Sequence, residues 1–520
     1  MIDFLEDKAW EIYDGFRAFL KKIVIPKPGK NQPLPLPAKA AVGLDQYFWG
    51  FEVEAGQLAL GEAQVRNYET GLIDTHVKGI NEEYRSIHSY VLGASGYGKT
   101  KFLESFIIQD IKNNNGFAVI DPHGDFVDDV KGLLYLFSSK SLEEEMVVID
   151  PIDPYSTISF NPLEPVEGVP PEELAAELVE VFHKIWAESW GPRMADILRN
   201  TLIVLIENNL TLVELPLFLT NKAVRKRLLQ NVKNPMCRQR FEYFDSLNPS
   251  VWREWQESTL NKVNAFLADP RTRQIFTARK SSFNLREIMD NKKILLVKLN
   301  RGRLKEGAYL LGALLVCKIQ MAAFSRSDIA DSERVPFYFY IDEFQNFATD
   351  SFVETLSEAR KYKLILILAH QNLTQVPKKL QDSILTNCSI QACFRVNRED
   401  AQVMAKEMMS PLYTQPPGWE INIQALQELH RQECFIANRM ESGITFTHTL
   451  KVLKAYEIVN ELEKESYTDK AFKDRLYSMG FGQNYLVDRD EIEEEYNERT
   501  KSLLAEEEPE SFRESGASEI

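Results

Sequence analysis

The sequence of 520 residues contains no long uncharged apolar run and few of the residues that form covalent or metal cross-links. Since no stretch of about 18 residues is apolar without charge, no transmembrane helix is predicted. The five cysteines include no C-x-x-C pair, which argues against a disulfide framework or zinc site and favours a reducing, cytoplasmic compartment. The seven histidines show no H-E-x-x-H or similar metal-ligand spacing.

The first 24 residues also lack the basic start and uninterrupted apolar core of a secretion signal, because acidic residues are scattered through them. Their apolar residues recur at helical spacing, which predicts an amphipathic helix. Such a helix packs on its own domain or meets a membrane surface or a partner. Its acidic face argues against binding to anionic lipid.

The net charge of −16 is unevenly distributed along the chain. Asp488–Ile520 holds thirteen acidic and four basic residues, which predicts a solvated, disordered tail. Asn221–Arg240 holds seven basic residues and no acid. A run of this kind is either a solvated helix face or a surface that contacts nucleic acid phosphates. The seven bases are Lys222, Arg225, Lys226, Arg227, Lys233, Arg238 and Arg240.

Short apolar runs alternate with helical patterns through much of the chain, which predicts an α/β fold with a mostly parallel sheet and helices on both faces. Between about Pro170 and Lys280 the strand signal vanishes, so an all-helical domain is predicted to be inserted into the α/β core. The predicted strands are Ser89–Leu92, Phe117–Ile120, Met146–Ile149, Ile294–Leu299, Phe337–Ile341, Leu364–Ala369, Cys388–Val396 and Cys434–Ile436 with Thr445–Val452.

These patterns predict six divisions of the chain. They are an N-terminal helix and Pro-rich linker (1–43), a small strand-rich lead-in (44–87), the first part of the α/β core (88–169), the helical insertion (170–280), the second part of the core (281–455) and a helical, acidic tail (456–520).

One motif carries a phosphate-binding chemistry. The pattern G-x-x-x-x-G-K-[ST] lies between an apolar strand and a helical segment, as expected of a P-loop. Its glycines allow backbone N–H groups to surround phosphate oxygens, and the following helix adds a partial positive charge. The lysine reaches the phosphates and the hydroxyl binds Mg²⁺, so ATP and Mg²⁺ are the predicted ligands. The eight residues are Gly93, Ala94, Ser95, Gly96, Tyr97, Gly98, Lys99 and Thr100.

Two acidic residues follow the strand Phe337–Ile341, and parallel strands deliver such residues to the edge that holds the P-loop. Asp342 is predicted to hold Mg²⁺ with Thr100, and Glu343 to act as the general base on the attacking water. Gln371 follows the next strand and is predicted to sense the γ-phosphate. A simple helix start is the alternative interpretation of the acidic pair.

Two arginines in this part of the core are candidates for an arginine finger that completes a neighbouring subunit's site. Arg360, within the segment SEARKYKL, is the main candidate, and Arg395 is the second. A solvated helix end, where cations are favourable, is the alternative interpretation of Arg360.

Together these residues resemble the HerA/FtsK superfamily of ring-forming DNA motors, and within it the conjugative coupling proteins of type IV secretion and their soluble relatives. The segments that carry the resemblance are VIDPHGD, IDEFQNF, LAHQNLTQ and FNLREIMDNKKILLVKLNRGRL. It extends over about Leu60–Val452. The first segment places Asp121 and His123 in a family motif, where Asp121 either contacts the nucleotide or supports a structural turn.

The resemblance implies a RecA-like P-loop ATPase core, hexamers with DNA in a central channel, and the catalytic roles given above for Lys99, Glu343, Gln371 and Arg360. Coupling proteins begin with transmembrane helices, and none is predicted here. HerA-type helicases carry a full N-terminal β-barrel, for which only about 45 residues are available here.

The sequence thus predicts an ATP-driven DNA translocase used in DNA transfer, processing or defence. The expected partner protein is a nuclease, a relaxase or a secretion or defence protein. Two alternatives stay open: an ATP-dependent switch or scaffold that loads a partner protein without translocating DNA, and a protein-secretion ATPase.

Overall fold

The computed structural model describes residues 53–54, 56–66, 73–153, 157–409, 418–440, 443–464 and 466–505. The predicted N-terminal helix and linker (1–43) lie outside the described residues, as does the end of the predicted tail (506–520).

A single sheet of eleven strands crosses the described part of the chain, in the order β2-β1-β11-β10-β9-β3-β8-β7-β4-β6-β5. Neighbouring strands from β9 to β5 are parallel, and β10, β11, β1 and β2 extend the sheet antiparallel. The strands are β1 (Gln57–Arg66), β2 (Ile73–Asn81), β3 (Ser89–Leu92), β4 (Gly116–Asp121), β5 (Met146–Ile149), β6 (Ile294–Lys298), β7 (Phe337–Ile341), β8 (Leu364–His370), β9 (Ile390–Cys393), β10 (Glu433–Asn438) and β11 (Gly443–His448).

Helices cover both faces of the sheet and fill the connection between β5 and β6. They are α1 (Glu82–Arg85), α2 (Lys99–Lys112), α3 (Asp125–Phe137), α4 (Pro171–Ile185), α5 (Pro192–Glu207), α6 (Leu215–Thr220), α7 (Lys222–Gln230), α8 (Pro235–Ser246), α9 (Pro249–Leu267), α10 (Pro270–Ile275), α11 (Leu285–Asp290), α12 (Arg301–Leu304), α13 (Glu306–Phe324), α14 (Phe352–Glu358), α15 (Lys378–Asn387), α16 (Arg398–Met408), α17 (Gly418–Gln427), α18 (Ala455–Glu463), α19 (Asp469–Tyr477) and α20 (Arg489–Leu504).

The central strands are apolar throughout because both of their faces are covered. In β4, Phe117 and Val119 pack in a core cluster with α2, α3 and the late helices α18 and α19. The intervening Ala118 and Ile120 pack in a second cluster with α13 and the inserted helices. The predicted α/β class, with a mostly parallel sheet and an all-helical insertion, is confirmed.

One helical run in the described residues, Glu306–Asp328, is long and apolar enough to cross a membrane, but 89% of its most apolar window is buried inside the protein. Its helix α13 packs against α4 and α11. It is a core helix of this fold.

The prediction of a disordered tail from Asp488 is wrong for the part that the structure describes. Residues Arg489–Leu504 form α20, which lies against the insertion. Arg499 on this helix is 5% exposed and donates from Nε to Glu214 Oε1 at 2.8 Å and from a terminal nitrogen to the Thr277 carbonyl at 2.6 Å. Acidic composition predicts solvation, whereas these contacts to the insertion give the helix a specific place.

A fully buried ion pair joins α1 to α2, and a tyrosine of the strand β7 bonds to both partners. Arg85 and Asp110 form two hydrogen bonds, of 2.6 and 2.7 Å, and neither side chain is exposed. The Tyr340 hydroxyl accepts from Arg85 and donates to Asp110. The Arg85 guanidinium also lies 3.9 Å from the centre of the Tyr338 ring. The aspartate thus has both a buried cation and a buried hydroxyl as partners.

Replacing Asp110 with Asn should strongly destabilise the protein, because it leaves the Arg85 guanidinium buried without an anion, at a cost of about 3–5 kcal/mol. The matched control is Asp382→Asn, whose partner Lys378 forms an exposed pair and contributes little. Thermal or urea unfolding of the three proteins measures the difference. Equal stabilities of the two variants would contradict the assignment, and Arg85→Met combined with Asp110→Leu should recover part of the loss.

Candidate active site

The predicted P-loop connects the end of β3 to the first turn of α2. Gly93 has φ +158°, and an added Cβ would lie 2.4 Å from the Phe394 Cβ, so this position has no room for a side chain. Gly98 has φ +118° and precedes α2, whose first turn has no side-chain cap. The free N–H groups at this helix start, with the partial positive charge of the helix, favour an anion.

Lys99 lies over this loop and is largely buried. Its Nζ donates to the Gly93 carbonyl at 2.6 Å and to the Ala94 carbonyl at 3.2 Å. Burial lowers the pKa of Lys99, while the nearby carboxylates of Asp342 and Glu343 oppose that effect. The lysine is therefore placed between the loop and the acidic pair.

The acidic pair follows β7 at the same edge of the sheet. Burial raises the pKa of Asp342 to about 7, with smaller contributions from Glu343 and Asp121, whereas Lys99 lowers it. Burial and neighbouring carboxylates both disfavour the charged form of Asp342, which is why its pKa rises. Glu343 has a left-handed backbone with φ 48° and ψ 46°, an uncommon conformation for a residue with a side chain.

The Glu343 carboxylate is held on both oxygens. Gln371, which follows β8, donates to Oε1 at 2.7 Å, and Gln345 donates to Oε2 at 2.8 Å. β8 lies between β3 and β7, so its carboxyl end brings Gln371 between the P-loop and the acidic pair. The predicted sensor and the predicted general base are therefore in direct contact.

These elements enclose a cavity of about 410 Å³. It unites most of the predicted site residues, and it adds Lys101, Arg431 and Gln432, which sequence reasoning missed. Arg431 and Gln432 precede the antiparallel strand β10, and only the strand order brings them to the loop. The lining consists of Ser95, Gly96, Gly98, Lys99, Thr100, Lys101, His123, Asp342, Glu343, Gln371, Arg431 and Gln432.

Two loop residues line a different cavity. Ala94 and Tyr97 lie with Arg395 in a separate space of about 580 Å³, and Arg395 donates to the Tyr97 hydroxyl at 2.9 Å. Arg395, the second candidate for an arginine finger, is thus in contact with its own subunit's loop. A larger space of about 840 Å³ near Lys318 and Arg286 includes none of the predicted site residues.

Asp121 is not part of the cavity lining, although its neighbour His123 is. Its carboxylate accepts the backbone N–H groups of His123 at 2.7 Å, Phe126 at 2.9 Å and Val127 at 3.2 Å. These bonds fix the turn into α3 and use the carboxylate oxygens. The geometry therefore supports the structural interpretation of Asp121 and not the predicted direct contact with the nucleotide.

Arg360 lies at the edge of the sheet opposite the cavity. It precedes β8, in the turn Ala359–Tyr362, and is exposed. Arg360 lies close enough to His88, the residue just before β3, to act on its pKa. Burial lowers that pKa to about 4, and the charge of Arg360 also lowers it. Since the cavity lies at the carboxyl ends of the same strands, the structure does not bring Arg360 to its own subunit's site.

The basic run Asn221–Arg240 separates into structural and exposed residues. Arg225 is 2% exposed, pairs with Asp245 and donates to the Leu219 carbonyl at 2.9 Å, so it is not available to DNA. Arg240 pairs with Asp196, with Nε 2.7 Å from the carboxylate. The exposed bases without a described side-chain ion pair are Lys222, Lys226, Lys233 and Arg238.

The fold and the cavity define a P-loop NTPase. Residues 80–295 match the family model described as the central domain of helicase HerA, and residues 336–408 match the model described as the TraM recognition site of TraD and TraG. By these two matches the chain resembles HerA/FtsK-type ATPases and the conjugative coupling proteins, as the sequence motifs predict. No curated protein matches the chain in a sequence comparison.

Solved structures support the same fold. The plasmid coupling protein TrwB in complex with a non-hydrolysable ATP analogue is 14% identical, with a TM-score of 0.52 over 78% of this chain and 98% of that one. VirB4 of Thermoanaerobacter pseudethanolicus is 13% identical, with a TM-score of 0.52 over 78% of this chain and 99% of that one. At these identities the likeness concerns the fold alone.

Proposed function

We propose that this chain is an ATP-hydrolysing motor that assembles into a hexameric ring, as its family resemblance implies, and translocates DNA. The observation that carries the proposal is the cavity shared by Lys99, Thr100, Asp342, Glu343 and Gln371. The family match and the solved complex of TrwB with ADP and Mg²⁺ support the nucleotide and the metal.

The residues of the cavity fit the requirements of ATP hydrolysis. Lys99 binds the phosphates, and the N–H groups of the loop and α2 surround them. The Thr100 hydroxyl and the Asp342 carboxylate hold Mg²⁺, which neutralises phosphate charge when bound. Glu343, oriented by Gln371, accepts the proton of the attacking water. Arg431 adds a further cation to the cavity lining.

The positions and charges of further residues support the proposed contacts with a neighbouring subunit and with DNA. Arg360, exposed at the far edge of the sheet, serves the cavity of the next subunit in the ring. DNA phosphates contact Lys222, Lys226, Lys233 and Arg238 on the insertion. The five cysteines are free and buried, which suits a cytoplasmic location. A nuclease, a relaxase or a secretion or defence protein is the proposed class of partner.

Replacing Glu343 with Gln should leave ATP binding intact but slow turnover by about 10²–10⁴-fold, because the amide keeps the shape and loses the base. Lys99→Ala should abolish binding, since the phosphates lose their main cation. Glu354→Gln, an exposed glutamate outside the cavity, is the matched control. Nucleotide binding and steady-state ATPase rates measure these effects. Wild-type turnover by Glu343→Gln would disprove the assignment of the base.

Mixing Arg360→Ala subunits with Lys99→Ala subunits should recover part of the ATPase activity that each variant lacks alone. A mixed interface can pair an intact loop with an intact finger, which neither homogeneous ring contains. The same mixture with Arg395→Ala tests the second candidate. Absence of recovery in rings shown by mass to be mixed would contradict the role of Arg360 in the neighbouring site.

DNA should stimulate the ATPase severalfold. The affinity of the protein for DNA should fall steeply with salt, because each phosphate contact releases counterions. On duplex DNA, each contact adds about −0.9 to the slope of log K against log salt concentration. Lys222→Ala with Lys226→Ala should weaken binding to all sequences and make the slope shallower. Lys378→Ala with Lys379→Ala, an exposed pair on α15, is the control. Fluorescence anisotropy from about 50 to 200 mM salt measures the slope.

Single- and double-stranded DNA should be compared in the same assay. An ATPase that neither form stimulates would favour the alternative, a switch or scaffold that loads a partner protein. If the variant Lys222→Ala with Lys226→Ala kept the same dependence of DNA affinity on salt, the DNA-binding surface would have to lie elsewhere than on α7.

A further inference from the structure

The end of α20 is fixed on the basic helix α7. Arg227 of α7 donates to three main-chain carbonyls at the end of α20, those of Ser502 at 3.4 Å, Ala505 at 3.1 Å and Leu503. Further back on α20, the nearly buried pair of Arg499 and Glu214 ties the same helix to the insertion. The chain therefore leaves the described structure beside α7.

Negative charge accumulates at the end of α20, and nearby basic groups would stabilise it. The carbonyl end of a helix carries a partial negative charge, and Glu506, Glu507 and Glu508 follow it directly. Acidic residues at this end are unfavourable unless basic groups lie near them. Helix α7 presents Lys222 and Lys226, both exposed and four residues apart on one face, next to Arg227.

The segment that follows has the composition and length to reach these lysines. Residues 506–520, here called the acidic segment, contain six glutamates and one arginine. Fifteen extended residues span up to about 50 Å, and Lys226 is the chain neighbour of Arg227, which already contacts Ala505. A tether this short gives a local concentration on the order of millimolar, so even weak ion pairs would be populated.

We propose that the acidic segment docks on the basic face formed by Lys222 and Lys226 of α7 and competes there with nucleic acid phosphates. The docking rests on the contacts and charges just described, whereas the competition rests also on the proposed DNA-binding function. A segment of clustered glutamates offers this face the same chemistry as a phosphate backbone, and it is attached to the protein.

Docking is tested without DNA by the rate at which an amine-reactive reagent acylates single lysines, followed by mass spectrometry. In the wild-type chain Lys222 and Lys226 should react severalfold more slowly than in the full-length variant Glu506→Gln, Glu507→Gln and Glu508→Gln. The exposed Lys379 serves as the internal control and should react equally in both. The difference should shrink at about 0.5 M salt, where exposed ion pairs are screened. Equal rates at low salt would overturn the docking.

Competition between the acidic segment and DNA is tested by measuring DNA affinity at low salt. The three Glu→Gln changes are made both in the wild-type chain and in the variant Lys222→Ala with Lys226→Ala. The three Glu→Gln changes should tighten DNA binding severalfold in the wild-type background. They should have little effect when Lys222 and Lys226 are already Ala, because the shared site is gone. An equal effect in both backgrounds, or none in either, would overturn the competition. If no form bound DNA, the proposed function would fail, while the lysine reactivities would still decide the docking.

Discussion

The buried carboxylate of Asp110, bonded to both Arg85 and Tyr340, links the two halves of the candidate active site. Asp110 lies on α2, the helix that begins with Lys99 and Thr100, and its partner Tyr340 lies on β7, two residues before Asp342. β7 and the P-loop strand β3 are not neighbours, because β8 separates them. The network therefore supplies a direct side-chain connection between the phosphate-binding helix and the strand that carries the acids.

The same parallel strands have candidate functional residues at both of their ends. At one edge, the carboxyl ends of β3, β8 and β7 bring the loop, Gln371 and the acidic pair to one cavity. At the other edge, Arg360 precedes β8. In the proposed ring, β8 would touch two nucleotide sites, its own through Gln371 and a neighbour's through Arg360. A shift of β8 would then change the positions of Gln371 in one nucleotide site and of Arg360 in the next.

Much of this arrangement can be predicted from the sequence, because local features determine it. The apolar runs Met146–Ile149 and Phe337–Ile341 predict strands with the bounds that the structure has, since strands covered on both faces are apolar without interruption. The motif of Lys99 and Thr100 is contiguous, and Asp342 follows a buried strand. The position of Arg431 could not be predicted, because it depends on how β10 pairs across the sheet.

Charge composition is the weaker guide. Arg225 and Lys226 are neighbours in one basic run, yet only the arginine turns inward to Asp245. The acidic stretch after Asp488 has the composition of a disordered tail, but two of its few basic residues, Arg489 and Arg499, bond to the core and the insertion. Composition counts charges, whereas the structure depends on which individual charges find a buried partner.

The left-handed backbone of Glu343 has a cost in stability, while its side chain is the proposed general base. A left-handed conformation of a residue with a side chain costs on the order of 1 kcal/mol, which glycine would avoid. The replacement Glu343→Gly would relieve that backbone cost, but it would also remove the carboxylate that faces the cavity and its hydrogen bonds to Gln371 and Gln345. Stabilising screens of this protein need a catalytic readout, because at this position a relaxed backbone and the proposed general base are opposing goals.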